Sequence, residues 1–303
     1  MSRMLYSKTT VVVLLTGMTM MITGCAELQT LADSVQPPVD RLQRQLQSND
    51  AQVRLGALSQ IVESSHDVLD SDQALRNIIL GQRLLEYGNG PEVKYPEDVR
   101  IGAVDKLFEK GRVLALINLA DDYRIGGGKM AMVNGESSIV SYMKRRVRTP
   151  EGLEKLCREC SQCTWGPALP RIKFFLFGAK ESSPLSDECL LWAVRHVNDD
   201  PIKYIFDPEW RSTKNAGVNI VKKLTSIGNL KSIAVDTSCL VTARVVAAEQ
   251  VFNHKDVKGK DILEVIGSFE KADDEQMVRV AQAGLAAAKR IGANDVVKTL
   301  EGK

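Results

Sequence analysis

Val53-Arg54-Leu55-Gly56-Ala57-Leu58 is followed, 46 residues further on, by Val99-Arg100-Ile101-Gly102-Ala103-Val104. A looser copy, Ala243-Arg244-Val245-Val246-Ala247-Ala248, and a fourth, Val278-Arg279-Val280-Ala281-Gln282-Ala283, start 35 residues apart. Asp50 precedes the first copy, Pro96-Glu97-Asp98 the second and Asp273-Asp274-Glu275 the fourth. Each copy therefore reads as a turn, a capping or acidic first turn, and an amphipathic helix. In the first, Val53, Ala57, Leu58 and Ile61 share one face, with Asp50 as the N-cap acceptor. The small residues Gly56, Ala57, Gly102, Ala103, Ala247 and Ala248 let neighbouring helices approach closely. Arg54, Arg100, Arg244 and Arg279 fall at the edge of the apolar face, within reach of an Asp or Glu on the adjacent repeat. The second and third copies start 144 residues apart, about four periods of 36. A recurring 20–50-residue period signals units that bury their apolar faces only by stacking.

Further helices surround these copies. Residues 71–87 carry Ala74, Ile78, Leu84 and Leu85 near helical spacing, with Gly88-Asn89-Gly90-Pro91 as the stop. Residues 261–269 place Ile262, Val265 and Ile266 together. Residues 275–291 form a helix ended by Gly292, and Asn294 starts a last one. Val39, Leu42 and Leu46 mark a short helix before the body. Loops are expected at 88–96, 122–136, 164–167, 180–186 and 206–216, with Val133-Asn134-Gly135-Glu136 able to close a small hairpin.

The pattern of turn, Val-Arg and small or aliphatic residues resembles the HEAT-like family of α-solenoids. The resemblance is good at 49–63 and 96–111 and fair at 242–303. Residues 112–241 keep helical periodicity without the motif. It implies an all-α solenoid of stacked antiparallel helix pairs over 49–303. An irregular helical bundle is the alternative.

The N-terminus has a different character. Arg3 and Lys8 precede an apolar stretch of 12, residues 11–22, too short to span a membrane but suited to the core of an export signal. It ends Ile22-Thr23-Gly24-Cys25, which resembles the lipobox of bacterial lipoproteins. That resemblance implies loss of residues 1–24, diacylglycerol on the Cys25 thiol and a further acyl chain such as palmitate on the new amine. Two or three chains anchor stably. Ala26 after the cysteine implies, by the family's sorting tendency, an outer membrane. An ordinary signal peptide and a buried apolar helix are the alternatives. Residues 25–48 then form a lipidated tether ending in the short helix. Removing 1–24 leaves 38 basic against 38 acidic residues, from 40 against 38 in the 303-residue chain.

That balance excludes a dedicated nucleic-acid binder. Hydrophobic residues at 44% provide a core, and 5% aromatics argue against extensive stacking recognition. Gly126-Gly127-Gly128-Lys129 is no phosphate loop: Tyr123 stands where its first Gly belongs and Met130 where Ser or Thr belongs. No nucleotide is expected, and the glycines fit a mobile loop.

Cys157-x-x-Cys160-x-x-Cys163 is the most unusual cluster. Thr149-Pro150 starts a helix that would put the three thiols on neighbouring turns of one face. Cys189 and Cys239 complete the unlipidated set. Disulfides among the five are favoured by an exported location. A thiolate metal site with Cys189 as fourth ligand and buried free thiols are the other readings. No thioredoxin-like strand pattern surrounds the CxxC. Lys144-Arg145-Arg146-Val147-Arg148 is a basic run that either complements its helix dipole or meets an anionic surface. His66, His196 and His254 lie in no catalytic motif. Trp165, Trp192 and Trp210 mark either core or an interaction surface.

These features point to a membrane-anchored, non-catalytic scaffold for an unidentified protein partner. It carries no cofactor beyond acyl chains on Cys25. An envelope redox or metal protein built on Cys157, Cys160 and Cys163, and a structural assembly component, are the alternatives.

Overall fold

A computed structural model describes residues 38–63, 69–85, 92–178, 185–207, 212–270 and 274–302. The export signal, Ile22, Thr23, Gly24, Cys25, the first part of the tether, His66 and Trp210 lie outside the described residues. Within them the chain is all-α: 17 α-helices and no strand. It divides into two compact units, Met1–Ala103 and Val104–Lys303.

The first unit holds α1 (Pro38–Gln45), α2 (Ala51–Glu63), α3 (Ser71–Leu80) and the start of α4 (Glu97–Glu109). The Asp50 carboxylate accepts from the Gln52 amide at 2.8 Å and opens α2. Ala57, Leu58 and Ile61 are buried, whereas Val53, expected on the same face, is 38% exposed. A Cβ on Gly102 would stand 2.8 Å from Leu58 Cδ1, so glycine is what lets α4 approach α2 so closely. Arg54 pairs with Asp98 of the next copy, Nη2 to Oδ2 at 2.6 Å. Arg100 instead donates to the Ile79 carbonyl, at 3.1 and 2.7 Å.

Helix α3 stops at Leu80, seven residues before the expected end. Gly81 takes φ +70°, its amide bonds Ile78 O, and the Gln82 amide bonds Asn77 O at 2.8 Å. This is the left-handed glycine cap that consumes the last free carbonyls of a helix. The Asn77 side chain donates to the carbonyls of Arg83 and Leu84, and Tyr95 donates to Gln82 O, fixing the non-helical segment that follows. Leu84 is buried there but Leu85 is 45% exposed.

The second unit continues with α5 (Val113–Leu119), α6 (Gly128–Asn134), α7 (Ser138–Val147), α8 (Pro150–Cys160), α9 (Leu169–Phe177), α10 (Asp187–Arg195), α11 (Asp200–Phe206), α12 (Thr213–Val221), α13 (Ile227–Val235), α14 (Val241–Asn253), α15 (Gly259–Gly267), α16 (Asp274–Arg290) and α17 (Asn294–Glu301). Its principal packing pairs join helices close in chain order. Helix α13 packs on α14 and α15, α14 on α12 and α16, and α15 on α16 and α17. Ile262, Val265 and Val280 are fully buried between them.

Arginines fasten helix ends across these pairs. Arg148 donates to Phe175 O at the end of α9, and Arg290 to Phe252 O at the end of α14. Arg244, only 5% exposed, donates to Ala234 O (3.0 Å) and Ser268 O (2.7 Å), with its guanidinium 4.5 Å from the Phe269 ring centroid. Arg279 pairs with Glu249 at 2.6 Å. Of the four motif arginines, two therefore meet an acid as expected, and two satisfy carbonyls that their own helices leave unpaired.

The expected loop at 122–136 is instead a 3-10 turn (Tyr123–Ile125) followed by α6. The hairpin at Val133-Asn134-Gly135-Glu136 does not form, because Val133 and Asn134 end that helix. A Cβ on Gly127 would fall 1.9 Å from Ala120 O, so the glycines serve close backbone contact rather than a mobile loop.

Candidate functional site

The Thr149 hydroxyl accepts from the Gly152 amide at 3.1 Å, and Pro150 occupies the first position of α8. The expected helix start is therefore present. Its far end, α10 and the start of α11 enclose an open cleft of about 900 Å³. Cys157 and Cys160 line it from α8, Trp192 and His196 from α10, and Trp165 from the preceding turn. Asp199, Asp200 and Pro201 complete it.

The aromatic groups are ordered by short-range geometry. Trp192 and His196 lie one helical turn apart, so their rings meet face to face: centroids are 4.1 Å apart and planes differ by 12°. The His196 Nδ1 lies 2.9 Å from Trp192 O, which holds the imidazole over the indole. Trp165 tilts against Tyr204, which lies outside the lining, at 5.7 Å, and Lys203 Nζ sits 4.6 Å from the Tyr204 ring centroid. Both tryptophans are half-buried.

Three carboxylates stand among these rings. Glu154 pairs with Arg158 and Asp200 with Lys203, each at 2.9 Å. The exposed Asp199 has its charge close enough to Cys157 to help hold that thiol protonated. Burial, with Asp199 and Glu154 adding to it, pushes Cys157 up to about 12; burial and neighbouring thiols push Cys160 up to about 12. Thiolate is the form that attacks or binds metal, and the burial of both sulfurs disfavours it.

The five described cysteines are free thiols. Cys163 lies beyond the end of α8, exposed, with its thiol on Glu159 O at 3.3 Å, rather than on a third turn of the same face. Cys189 is buried and donates to Arg148 O at 2.9 Å; burial raises it. Cys239 is buried near Asp236 and pushed up to about 11, mainly by burial. Among the described residues no three His, Cys, Asp or Glu side chains converge as metal ligands would, so Cys189 does not join Cys157, Cys160 and Cys163.

The basic run is absorbed locally. Lys144 pairs with Glu136, Arg146 with Asp105 at 2.9 Å, and Arg148 holds Phe175 O. Arg145 lies over the Tyr142 ring at 5.6 Å. His254 accepts the Asp256 amide at 3.2 Å in a turn far from the cleft in sequence. Sequence reasoning singled out Cys157, Cys160, Trp165, Trp192 and His196 separately; the fold brings them together. It missed Tyr204, Asp199 and Asp200. The i, i+4 spacing of Trp192 and His196, followed by Asn198-Asp199-Asp200-Pro201, was the local signal available.

No protein-family model matches this chain, and no significant match to a curated protein or a solved structure is found. The cleft brings together two half-buried tryptophans, a histidine stacked on one of them, three carboxylates and two thiols that burial holds protonated.

Proposed function

We propose that this protein is an exported lipoprotein scaffold: an α-solenoid of HEAT-like helix pairs held at a bacterial envelope membrane, preferably the outer one, by acyl chains on Cys25. The apolar stretch 11–22 and the Ile22-Thr23-Gly24-Cys25 sequence support the anchor. The recurring Val-Arg copies and the neighbour-to-neighbour packing of α12–α17 support the solenoid. Its role is to hold a partner protein without catalysis.

The observation that carries this reading is the pair of half-buried tryptophans in the 900 Å³ cleft. Trp and Tyr dominate binding energy at protein interfaces because they desolvate large apolar faces at low conformational cost. Placing a photo-crosslinking amino acid at Arg158, on the cleft's edge, and irradiating living cells should trap one reproducible protein adduct. Trp192→Ala should remove that adduct while leaving the helical content unchanged. Recovery of no adduct beyond those trapped from a distant exposed position such as Glu270 would refute the scaffold role. Cys25→Ala should abolish acyl labelling and release the chain from the membrane fraction; persistence of both would refute the anchor.

A further inference from the structure

A second cavity lies within the same unit and has the opposite chemistry. Helices α5, α7 and α9 surround a groove of about 530 Å³, with α6 along its edge. That volume falls within the roughly 300–1,000 Å³ of small-molecule sites. Ile117, Val140 and Phe175, each at most 3% exposed, form its apolar base, and half-buried Phe174 forms part of its wall. The charges lining it are few. Lys144 and Glu136 neutralise each other, and the Ser141 hydroxyl also bonds Glu136. Lys129 and Arg171 remain, both exposed, against the exposed carboxylate of Asp121. Arg171 has the neutral side-chain oxygen of Asn118 at 3.3 Å. The lining therefore carries one positive charge in excess. Next to it the 3-10 turn and α6 present Tyr123 (67% exposed), Met130 (42%) and Val133 (80%) to solvent, continuing the apolar surface outward.

We propose that this groove binds a long-chain fatty acid, its acyl chain along Ile117, Val140 and Phe174 and its carboxylate at Lys129 and Arg171. The single excess charge matches one carboxylate, and the mainly apolar lining leaves few groups to recognise a peptide backbone or sugar hydroxyls. Apolar burial then sets affinity, and the two cations set orientation. The inference is independent of the aromatic cleft and of the lipid anchor.

The test uses the full chain in phosphatidylcholine nanodiscs, photolabelled with a diazirine analogue of palmitate and mapped by mass spectrometry. Adducts should fall within residues 117–178 and be displaced by palmitate. Each methylene removed from the competitor should weaken displacement, by at most about fourfold, the factor for one fully buried CH₂. Hexadecanol, of equal length and no charge, should compete at least tenfold less well. Lys129→Ala with Arg171→Ala, two exposed positions, should lower labelling about tenfold with unchanged circular dichroism. Adducts scattered over the chain or confined to residues 1–37 would overturn the proposal. So would equal competition by hexadecanol. Displacement by phosphatidylglycerol as effective as by palmitate would assign the groove to a membrane lipid and overturn it as well.

Discussion

Residues 112–207 and 241–302 belong to one compact unit but are built differently. The C-terminal stretch uses helices such as α14 (13 residues) and α16 (17 residues), stacked on neighbours through small residues and fastened by Arg244 and Arg290. The middle's seven helices run from 7 to 11 residues, against 8 to 17 in the C-terminal four, and three of the seven carry proline in the first turn. Both cavities described above open in the middle. A short helix covers less of its neighbour's apolar face, so gaps remain between them. Both cavities lie where the Val-Arg motif is absent.

Gly152→Ala tests this contrast with the largest effect. A Cβ there would meet Val147 O at 2.2 Å, a backbone atom fixed by the α7–α8 turn, so the two helices must separate. We expect a loss of about 3 kcal/mol in denaturant unfolding. Gly267→Ala, in a helix whose glycine has open space, should gain about 0.5–1 kcal/mol. Equal effects at both positions would refute the idea that the middle depends on special backbone approach.

Arg244→Ala comes next. It leaves Ala234 O and Ser268 O without their donor and should cost about 2–3 kcal/mol. Arg279→Ala, at the same motif position but 60% exposed on the side chain, should cost less than about 1 kcal/mol and lose even that in high salt. Comparable losses would mean that the motif arginines act by charge alone.

A last contrast separates the regions by pH. Cys157 and Cys160 are raised from 9.0 to about 12 when folded. From pH 9 upward the unfolded chain releases protons that the folded one keeps, so stability present below pH 9 is lost as pH rises toward 12. Thermal scans should show a falling Tm across that window. Cys157→Ser with Cys160→Ser should shallow the fall. Residues 241–302 contain no cysteine or tyrosine, so no thiol or phenol there adds to it.

Much of the helical layout was legible because it is local. Helical periodicity, the Asp50 and Thr149 caps and the stop at Gly292 all act within a turn or two of chain. The misplacements have the same origin. Ala74, Ile78 and Leu85 keep helical spacing through Gly81, and nothing nearby in the sequence says that Tyr95 and the Asn77 amide hold residues 82–84 out of the helix. Three consecutive glycines suggested a loop at 126–128, but their backbone instead packs against Ala120 and starts α6. The cysteine triplet looked like one helical face because the end of α8 before Cys163 was not visible.

The sequence by itself determined that this protein is all-α, and where the helices outside residues 112–241, and the one at Thr149-Pro150, begin. These follow from propensity, capping and period, which short segments carry alone. Only the tertiary structure decided that Arg54 and Arg279 meet acids while Arg100 and Arg244 meet carbonyls. It alone turned Trp165, Trp192, His196 and two protonated thiols into one cleft, and placed an apolar groove beside Lys129 and Arg171. The physical reason is distance along the chain. A cavity is the space left between helices, and no single helix specifies its volume or its charge.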